Sequence, residues 1–335
     1  MRKVKMILSW IVVSLVLQCT VLFFLDKFYF KDNTNVDMQQ VSINSTKDNN
    51  KIHVTIPAGA KDIKVSYDGK YVSYYDKTKL EICNANTGNV KQLENINNNQ
   101  ILRSVWLEDR NMLLTLEIED GEIVLYNYEP EKGVNQKIVE VCPYNQGYKN
   151  FDIKASTITG VTYIKINNHI FRVDINQNFA TKVPLNVRVL GDISIIPTKD
   201  RLVYMAPNGT ILHMTQPNTR IAIKSNESLV ILGIDEDGVA YLGEVQGNKI
   251  NKIVKKNLND MYSKEEIITL EEPVNKKDIF VDGRGNVYVN SSSKKVVKEL
   301  KSKKETSYKG EFLGFYNNGV ASLVEGKYYK TPFTK

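Results

Sequence analysis

One phrase recurs seven times in the second part of the chain: an apolar strand, a polar turn, and a second strand rich in Val, Tyr or Leu. The seven turns lie near residues 69, 110, 160, 200, 238, 285 and 319. Their mean spacing is about 42 residues, which is typical of a four-stranded propeller blade. A single sheet of this kind cannot bury both of its faces, so it has to pack radially against other copies. The repeat therefore predicts an all-β fold, a β-propeller.

The sequence between the turns predicts the remaining strands. KLEICNA (79–85) and NVKQL (89–93) would complete the first blade, and EIVLYNYE (122–129) would continue the second. The seventh unit has room for only three strands, whereas HVTIP (53–57) stands before the first blade without a partner. We expect HVTIP to be the fourth strand of the last blade and to close the ring. Seven blades are favoured, with six or eight as the alternatives.

The first blade also resembles a known repeat. Residues 65–93 carry a Ser-x-Asp-Gly-Lys turn, an aromatic-rich strand and a late Thr-Gly, formed by Ser66, Asp68, Gly69, Lys70, Thr87 and Gly88. This pattern resembles the TolB-type repeat, which also occurs in the propellers of prolyl-oligopeptidase-family enzymes. The resemblance implies a propeller and transfers no catalytic residue. Those peptidases have a separate hydrolase domain, for which we expect no room in this chain.

The N-terminal part is different in character. Residues 6–25 contain twenty positions without a charge, behind Arg2, Lys3 and Lys5. A helix of that length covers about 30 Å, the thickness of the hydrocarbon core of a bilayer. Positive charges stay in the cytoplasm. The sequence therefore predicts a cytoplasmic basic tip (1–5), a single-pass transmembrane helix that acts as a signal anchor (6–25), and export of everything that follows.

Two alternatives to an uncleaved anchor remain open. A cleaved signal peptide would have a shorter apolar run that ends in small residues, whereas this run ends in Phe23, Phe24 and Leu25. Lipid attachment at Cys19 would need a small residue where the bulky Gln18 stands. We therefore favour an anchor in the cell membrane. Beyond it we expect a juxtamembrane segment and flexible tether (26–51), and then an extracytoplasmic propeller (52–335).

The cysteine and charge patterns bear on two features, a possible disulfide and a possible binding surface. Cys83 and Cys142 could form one exported disulfide, but separate thiols are favoured because they fall in different predicted blades. Residues 249–310 carry 15 Lys or Arg against 9 Asp or Glu. This excess is typical either of a solvated face or of a surface that attracts an extracellular polyanion. The candidate polyanion-binding residues are Lys294, Lys295, Lys301, Lys303 and Lys304.

The sequence carries no catalytic or cofactor motif. The three histidines, His53, His169 and His213, stand alone, and neither a nucleophile elbow nor a phosphate loop is present. The acidic turn Asp235–Gly238 lacks the later oxygen ligands of a calcium loop, which favours a hairpin turn. We therefore name no catalytic, metal or cofactor-binding residue and expect no cofactor.

These patterns favour a binding function over an enzymatic one. We expect a membrane-anchored scaffolding or binding propeller whose partner is a protein or an anionic cell-envelope polymer. Nucleic acid is excluded as a partner because the domain is predicted to be exported. The alternative is an enzyme or a small-ligand sensor with its site in the central channel. Convergent polar groups from three or more blades would favour that alternative.

Overall fold

The structure, a computed structural model, describes residues 2–24, 54–93 and 100–334. The chain divides into two compact units, residues 1–50 and 51–335. The first unit contains helix α1 (Arg2–Phe24). Among the described residues, no helix combines the length and the apolar character needed to cross a membrane. The predicted transmembrane helix is therefore not confirmed, and the predicted tether at 26–51 lies wholly outside the described residues.

The second unit consists of seven antiparallel sheets in chain order. Blade one contains β1 (Lys61–Val65), β2 (Tyr71–Asp76), β3 (Lys79–Asn84) and β4 (Val90–Gln92). Blade two contains β5 (Gln100–Trp106), β6 (Leu113–Glu119), β7 (Glu122–Glu129) and β8 (Val134–Pro143). Blade three contains β9 (Phe151–Ser156), β10 (Val161–Ile166), β11 (His169–Asp174) and β12 (Ala180–Val183). Blade four contains β13 (Ile193–Ile195), β14 (Leu202–Tyr204), β15 (Ile211–Met214) and β16 (Thr219–Ala222).

The remaining three blades follow the same order. Blade five contains β17 (Ser228–Ile234), β18 (Val239–Gln246), β19 (Lys249–Asn257) and β20 (Glu266–Val274). Blade six contains β21 (Ile279–Val281), β22 (Val287–Ser291), β23 (Val296–Glu299) and β24 (Glu305–Ser307), after a short 3-10 turn (Lys276–Asp278). Blade seven contains β25 (Glu311–Tyr316), β26 (Gly319–Val324) and β27 (Lys327–Pro332). All seven predicted turns join the first two strands of a blade, so the prediction of seven blades is confirmed.

The sheets are held together by seven apolar clusters, one between each pair of adjacent blades. First strands of neighbouring blades contact each other, for example β9 with β13 and β13 with β17, so the first strands form the inner ring around the central channel. Between blades one and two, the ring of Tyr71 stacks on Trp106, whose indole N–H donates to Ser73 Oγ at 2.9 Å. This arrangement buries both faces of each sheet, as the repeat required.

The ring is closed by the residues that precede blade one. Thr55 pairs with Lys327 in antiparallel fashion. The Ile56 N–H donates to the carbonyl of Gly326 at 2.9 Å, and the Tyr328 N–H donates to the carbonyl of Val54 at 2.8 Å. We call Val54–Ile56 the closing segment. It lies beside β27 in the position of a fourth strand of blade seven, held by one β-bridge and these hydrogen bonds. The prediction that HVTIP completes the last blade is therefore confirmed for its described residues.

The alternating strand directions divide the turns between two faces of the ring. The upper face carries the turn between the first and second strands of each blade, such as 157–160, and the turn between the third and fourth strands, such as 175–179. The lower face carries the turn between the second and third strands and the short connections between blades, such as 144–150. Each first strand therefore runs from the lower to the upper face.

Candidate functional site

Exposed apolar side chains are distributed unequally between the two faces. Among the described residues of the second unit, ten large hydrophobic side chains are exposed. Eight lie in upper-face turns or within the first two residues of the strands that leave them: Val90, Val134, Ile158, Ile175, Phe179, Met261, Tyr262 and Ile267. Only Val189 and Ile211 lie towards the lower face. Apolar surface that faces water in this concentrated way marks sites of protein interaction, so the upper face is the candidate site.

The most apolar part of the upper face is on blade three. Ile158, Ile175 and Phe179 are 65%, 76% and 56% exposed. The Ile175 N–H donates to the Gly160 carbonyl at 2.9 Å, which joins the two upper turns of the blade. A Cβ at Gly160 would stand 2.7 Å from Ile175 Cγ2, so only glycine lets Ile175 lie over this turn. Neither turn, 157–160 or 175–179, contains a charged residue. We call Ile158, Ile175 and Phe179 the blade-three patch.

Ion pairs border the blade-three patch. Arg172 donates to Asp200 at 2.7 Å and to Asp174 at 2.8 Å, and the Asp200 bond raises the pKa of Arg172. On the other side, the Thr157 hydroxyl donates to Asp109 at 2.5 Å. These contacts join blades two, three and four. The patch therefore has an apolar centre and a satisfied polar rim, which is the usual composition of a protein interface.

Blade five adds two further exposed side chains to the upper face. Met261 and Tyr262 lie in the loop between β19 and β20. Lys199 of blade four donates to Asn259 Oδ1 of this loop at 2.5 Å. The Thr198 hydroxyl of blade four also donates to the Glu236 carbonyl at 3.1 Å, in the turn between β17 and β18 of blade five. The upper turns of blades three, four and five therefore form one connected surface.

A chain of charged groups surrounds part of the channel on its lower side. Lys64 pairs with Asp62 at 2.7 Å and donates to the Ser104 carbonyl of blade two, also at 2.7 Å. Arg103 of blade two reaches Asp152 of blade three at 3.4 Å. Burial lowers the pKa of Lys64, and the charge of Arg103 lowers it further, while Asp62 opposes both. Each cation here bridges its own blade to the next.

The chain of charges continues to blade four and the connection before blade six. Lys165 is only 6% exposed and donates to the Gly191 carbonyl at 2.5 Å, and burial lowers its pKa. Lys276 pairs with Asp192 at 2.7 Å, and the same carboxylate accepts the Ile231 N–H. The polar groups do converge from several blades. They bind each other, however, which favours a role in fixing the blades over a role in binding a small ligand.

The five predicted polyanion-binding lysines do not form one patch. Lys294 and Lys295 lie in the turn before β23, on the lower face. The other three follow β23 on the upper face: Lys301, Lys303 and Lys304. All five are exposed and form no ion pair within the described residues. In contrast, Lys252 and Lys255 of the basic strand β19 pair with Glu244 and Glu266.

The remaining sequence predictions concern cysteines, histidines and the acidic turn. Cys83 and Cys142 are free thiols, and burial raises the pKa of each to about 11. Asp235 accepts the Val239 N–H at 2.8 Å within a tight turn, as expected of a hairpin. His213 stacks on Tyr204, and His53 lies outside the described residues. In the part of the chain that the structure describes, no group of three His, Cys, Asp or Glu side chains could hold a metal ion.

Sequence reasoning missed the exposed apolar side chains of the upper face. One signal was available: the turns TITG (157–160) and INQNF (175–179) carry Ile and Phe but no charge. Surface turns are usually polar, so uncharged turns with large apolar residues could have indicated a contact surface.

Comparison with known proteins identifies no family for this chain. No family model and no curated protein matches the chain, so the likeness to the TolB-type repeat stays a resemblance. Among solved structures, one titled "Crystal structure of Nidogen/Laminin Complex" aligns with a TM-score of 0.44 and 10% sequence identity. That alignment covers 70% of this chain and 91% of the other. A likeness at this score carries no argument about function.

Proposed function

We propose that the propeller is a non-enzymatic binding domain, and that a partner protein docks on its upper face. The observation that carries the proposal is the unequal distribution of exposed apolar side chains, eight towards the upper face and two towards the lower. The blade-three patch would be the centre of the contact, since truncation of central apolar residues usually costs the most binding energy.

The experiment places a photo-activated cross-linking amino acid at position 175 of the full-length protein, in the cells that produce it. The matched control carries the same amino acid at position 211, an exposed isoleucine towards the lower face. We expect one protein adduct of defined mass from position 175 and none from position 211. Changing Ile158 and Phe179 to Ser should reduce that adduct about tenfold or more. Equal adducts from both positions, or none from position 175, would contradict the proposal.

The location of the domain is a second part of the proposal. We place the N-terminal segment in the cell membrane and residues 31–335 outside the cytoplasm. The support comes from the sequence alone: twenty uncharged residues behind Arg2, Lys3 and Lys5. An anionic cell-envelope polymer is the further partner that we propose for the exposed lysines of blade six.

The alternative of an enzyme or a small-ligand sensor in the channel gains no support from the charged groups there. Three carboxylates there already form ion pairs with Lys or Arg side chains of the domain: Asp62, Asp152 and Asp192. A substrate would therefore have to displace existing ion pairs before it could bind, which removes the convergent free groups that such a site needs.

A further inference from the structure

The loop between β19 and β20 presents an aromatic side chain that has no packing role in the domain. Tyr262 is 95% exposed, and Met261 beside it is 48% exposed. Tyrosine is enriched at the energetic centres of protein interfaces, because its large ring buries much area with few rotatable bonds. A flexible loop would lose conformational entropy when it binds, which would weaken the binding. A loop that is already held in place avoids that loss.

A buried lysine holds the loop from below. Lys256 on β19 is only 4% exposed, and its ammonium group donates to the carbonyl of Met261 at 3.0 Å and to the carbonyl of Ser263. These two carbonyls stand on either side of Tyr262. Taking a charged group out of water is costly unless it is fully hydrogen-bonded. Lys256 is therefore placed to fix the peptide groups that flank Tyr262.

Local hydrogen bonds complete the support of the loop. The Tyr262 N–H donates to Asp260 Oδ1 at 2.9 Å, and the Ser263 hydroxyl donates to the Asp260 carbonyl at 2.7 Å. Asn259 donates to the carbonyl of Asp237 at 2.7 Å, which attaches the loop to the neighbouring turn of blade five. The backbone is thus organised while the Tyr262 ring stays in solvent, as expected of a preorganised contact.

The charges around Tyr262 indicate what it contacts. Glu236, Asp237 and Asp260 are exposed, and none forms an ion pair with any residue that the structure describes. Two exposed cations lie nearby: Lys264 in the loop, and Lys199 of blade four, which donates to Asn259. Exposed carboxylates therefore outnumber exposed ammonium groups around Tyr262, so this surface is net negative and complements basic groups. We propose that Tyr262, with Met261, inserts into an apolar pocket bordered by Lys or Arg side chains on the partner protein.

This inference rests on the proposed function and is tested separately from it. A photo-activated cross-linking amino acid at position 264 of the full-length protein reports contact beside Tyr262. We expect an adduct in the wild-type background that Tyr262→Phe keeps, because the ring is retained. Tyr262→Ala should reduce the adduct about tenfold or more. Lys256→Met should also reduce it, since that side chain keeps its volume but loses the donors to both carbonyls. Val189→Ala, at an exposed apolar position towards the lower face, is the matched control and should leave the adduct unchanged.

The cross-linked segment of the partner should contain apolar residues together with Lys or Arg. Tyr262 is so exposed that its replacement cannot unfold the domain, and thermal unfolding monitors Lys256→Met. If the adduct at 264 is unchanged in Tyr262→Ala while position 175 still cross-links, the inference is wrong and the proposed function stands. If neither position cross-links, the proposed function itself fails. An adduct with a second copy of this chain would also overturn the assigned partner.

Discussion

Tyrosine hydroxyl groups connect blades at the upper face. Tyr163 of blade three donates to Asp200 of blade four at 2.7 Å, and Tyr328 of blade seven donates to the Gly69 carbonyl of blade one at 3.1 Å. Burial raises the pKa of Tyr163, and the bond to Asp200 raises it further. In both cases the ring fills the space between two blades, and its hydroxyl group donates a hydrogen bond to an acceptor in a turn of the next blade. These contacts explain buried tyrosines without any ligand.

The exposed lysines of blade six permit a test of polyanion binding at the level of single side chains. Lys301, Lys303 and Lys304 share one upper-face turn, so a variant with all three changed to Gln should lose attraction of about 1 kcal/mol per lysine. That corresponds to about a hundredfold weaker binding to vesicles of anionic phospholipid. Binding of the wild type should also fall between 0.1 M and 1 M salt, because the screening length drops from about 10 Å to about 3 Å.

The control for this prediction is the change of Lys294 and Lys295 to Gln, because both lie on the opposite face of the same blade. That variant should bind nearly as well as the wild type. Vesicle binding that ignores salt, or that is equal in both variants, would mean that the upper-face lysines are only a solvated surface.

The closing segment is short, but it joins blade seven to the residues before blade one. Val54 and Ile56 are buried against blades seven and one, in the cluster that includes Val72 and Tyr328. Burying two such side chains contributes about 3–6 kcal/mol. Their backbone hydrogen bonds also cover part of an edge of β27 that would otherwise be open to another chain.

Removal of the closing segment should therefore destabilise the ring. A variant that begins at residue 59 should unfold at a lower denaturant concentration than one that begins at residue 48, with a difference on the order of 3–6 kcal/mol. It should also associate through the exposed edge, which sedimentation would detect. Two variants with equal midpoints and equal sedimentation would show that blade seven is stable with three strands.

Elements of this fold were predictable where the signal was local. Each first turn depends on a few adjacent residues, such as Ser66 and Gly69, so its position could be located from the sequence. The placement of the lysines could not, because it depends on strand direction. Lys295 and Lys301 are close in sequence, but the four residues of β23 between them span about 13 Å and carry the chain to the other face.

The sequence predicts on which side of the membrane the propeller lies. Protease added to intact cells without their wall should degrade residues 31–335, because that region is proposed to lie outside the cytoplasm. The measurement is immunoblotting with antibodies against the propeller, and cells permeabilised with detergent provide the control. Complete protection of the propeller in intact cells would contradict the orientation. A mature chain that begins after residue 25 would instead establish cleavage.

The site was less predictable than the fold because it is a property of the assembled ring. Ile158 and Tyr262 are far apart in sequence and come together on one surface only when blades three, four and five stand side by side. The support of Tyr262 by Lys256 could not be predicted either. A lysine in the basic run KINKIVKK is expected to be exposed to solvent, and only the structure shows that Lys256 is buried. Repeats reveal the scaffold, whereas departures from the repeat form the contact surface.

The pairing of Thr55 with Lys327 has a consequence for how the chain acquires its structure. The closing segment is synthesised before any blade, yet its partner strand β27 is made only after every other strand of the propeller. While the nascent chain grows, Val54 and Ile56 have to remain unpaired with their apolar side chains in solvent, or be held by a chaperone. Joining the two ends also carries the loop-closure entropy of almost the entire domain. Completion of the ring is therefore a late folding event, and a chain that terminates before Lys327 cannot reach it.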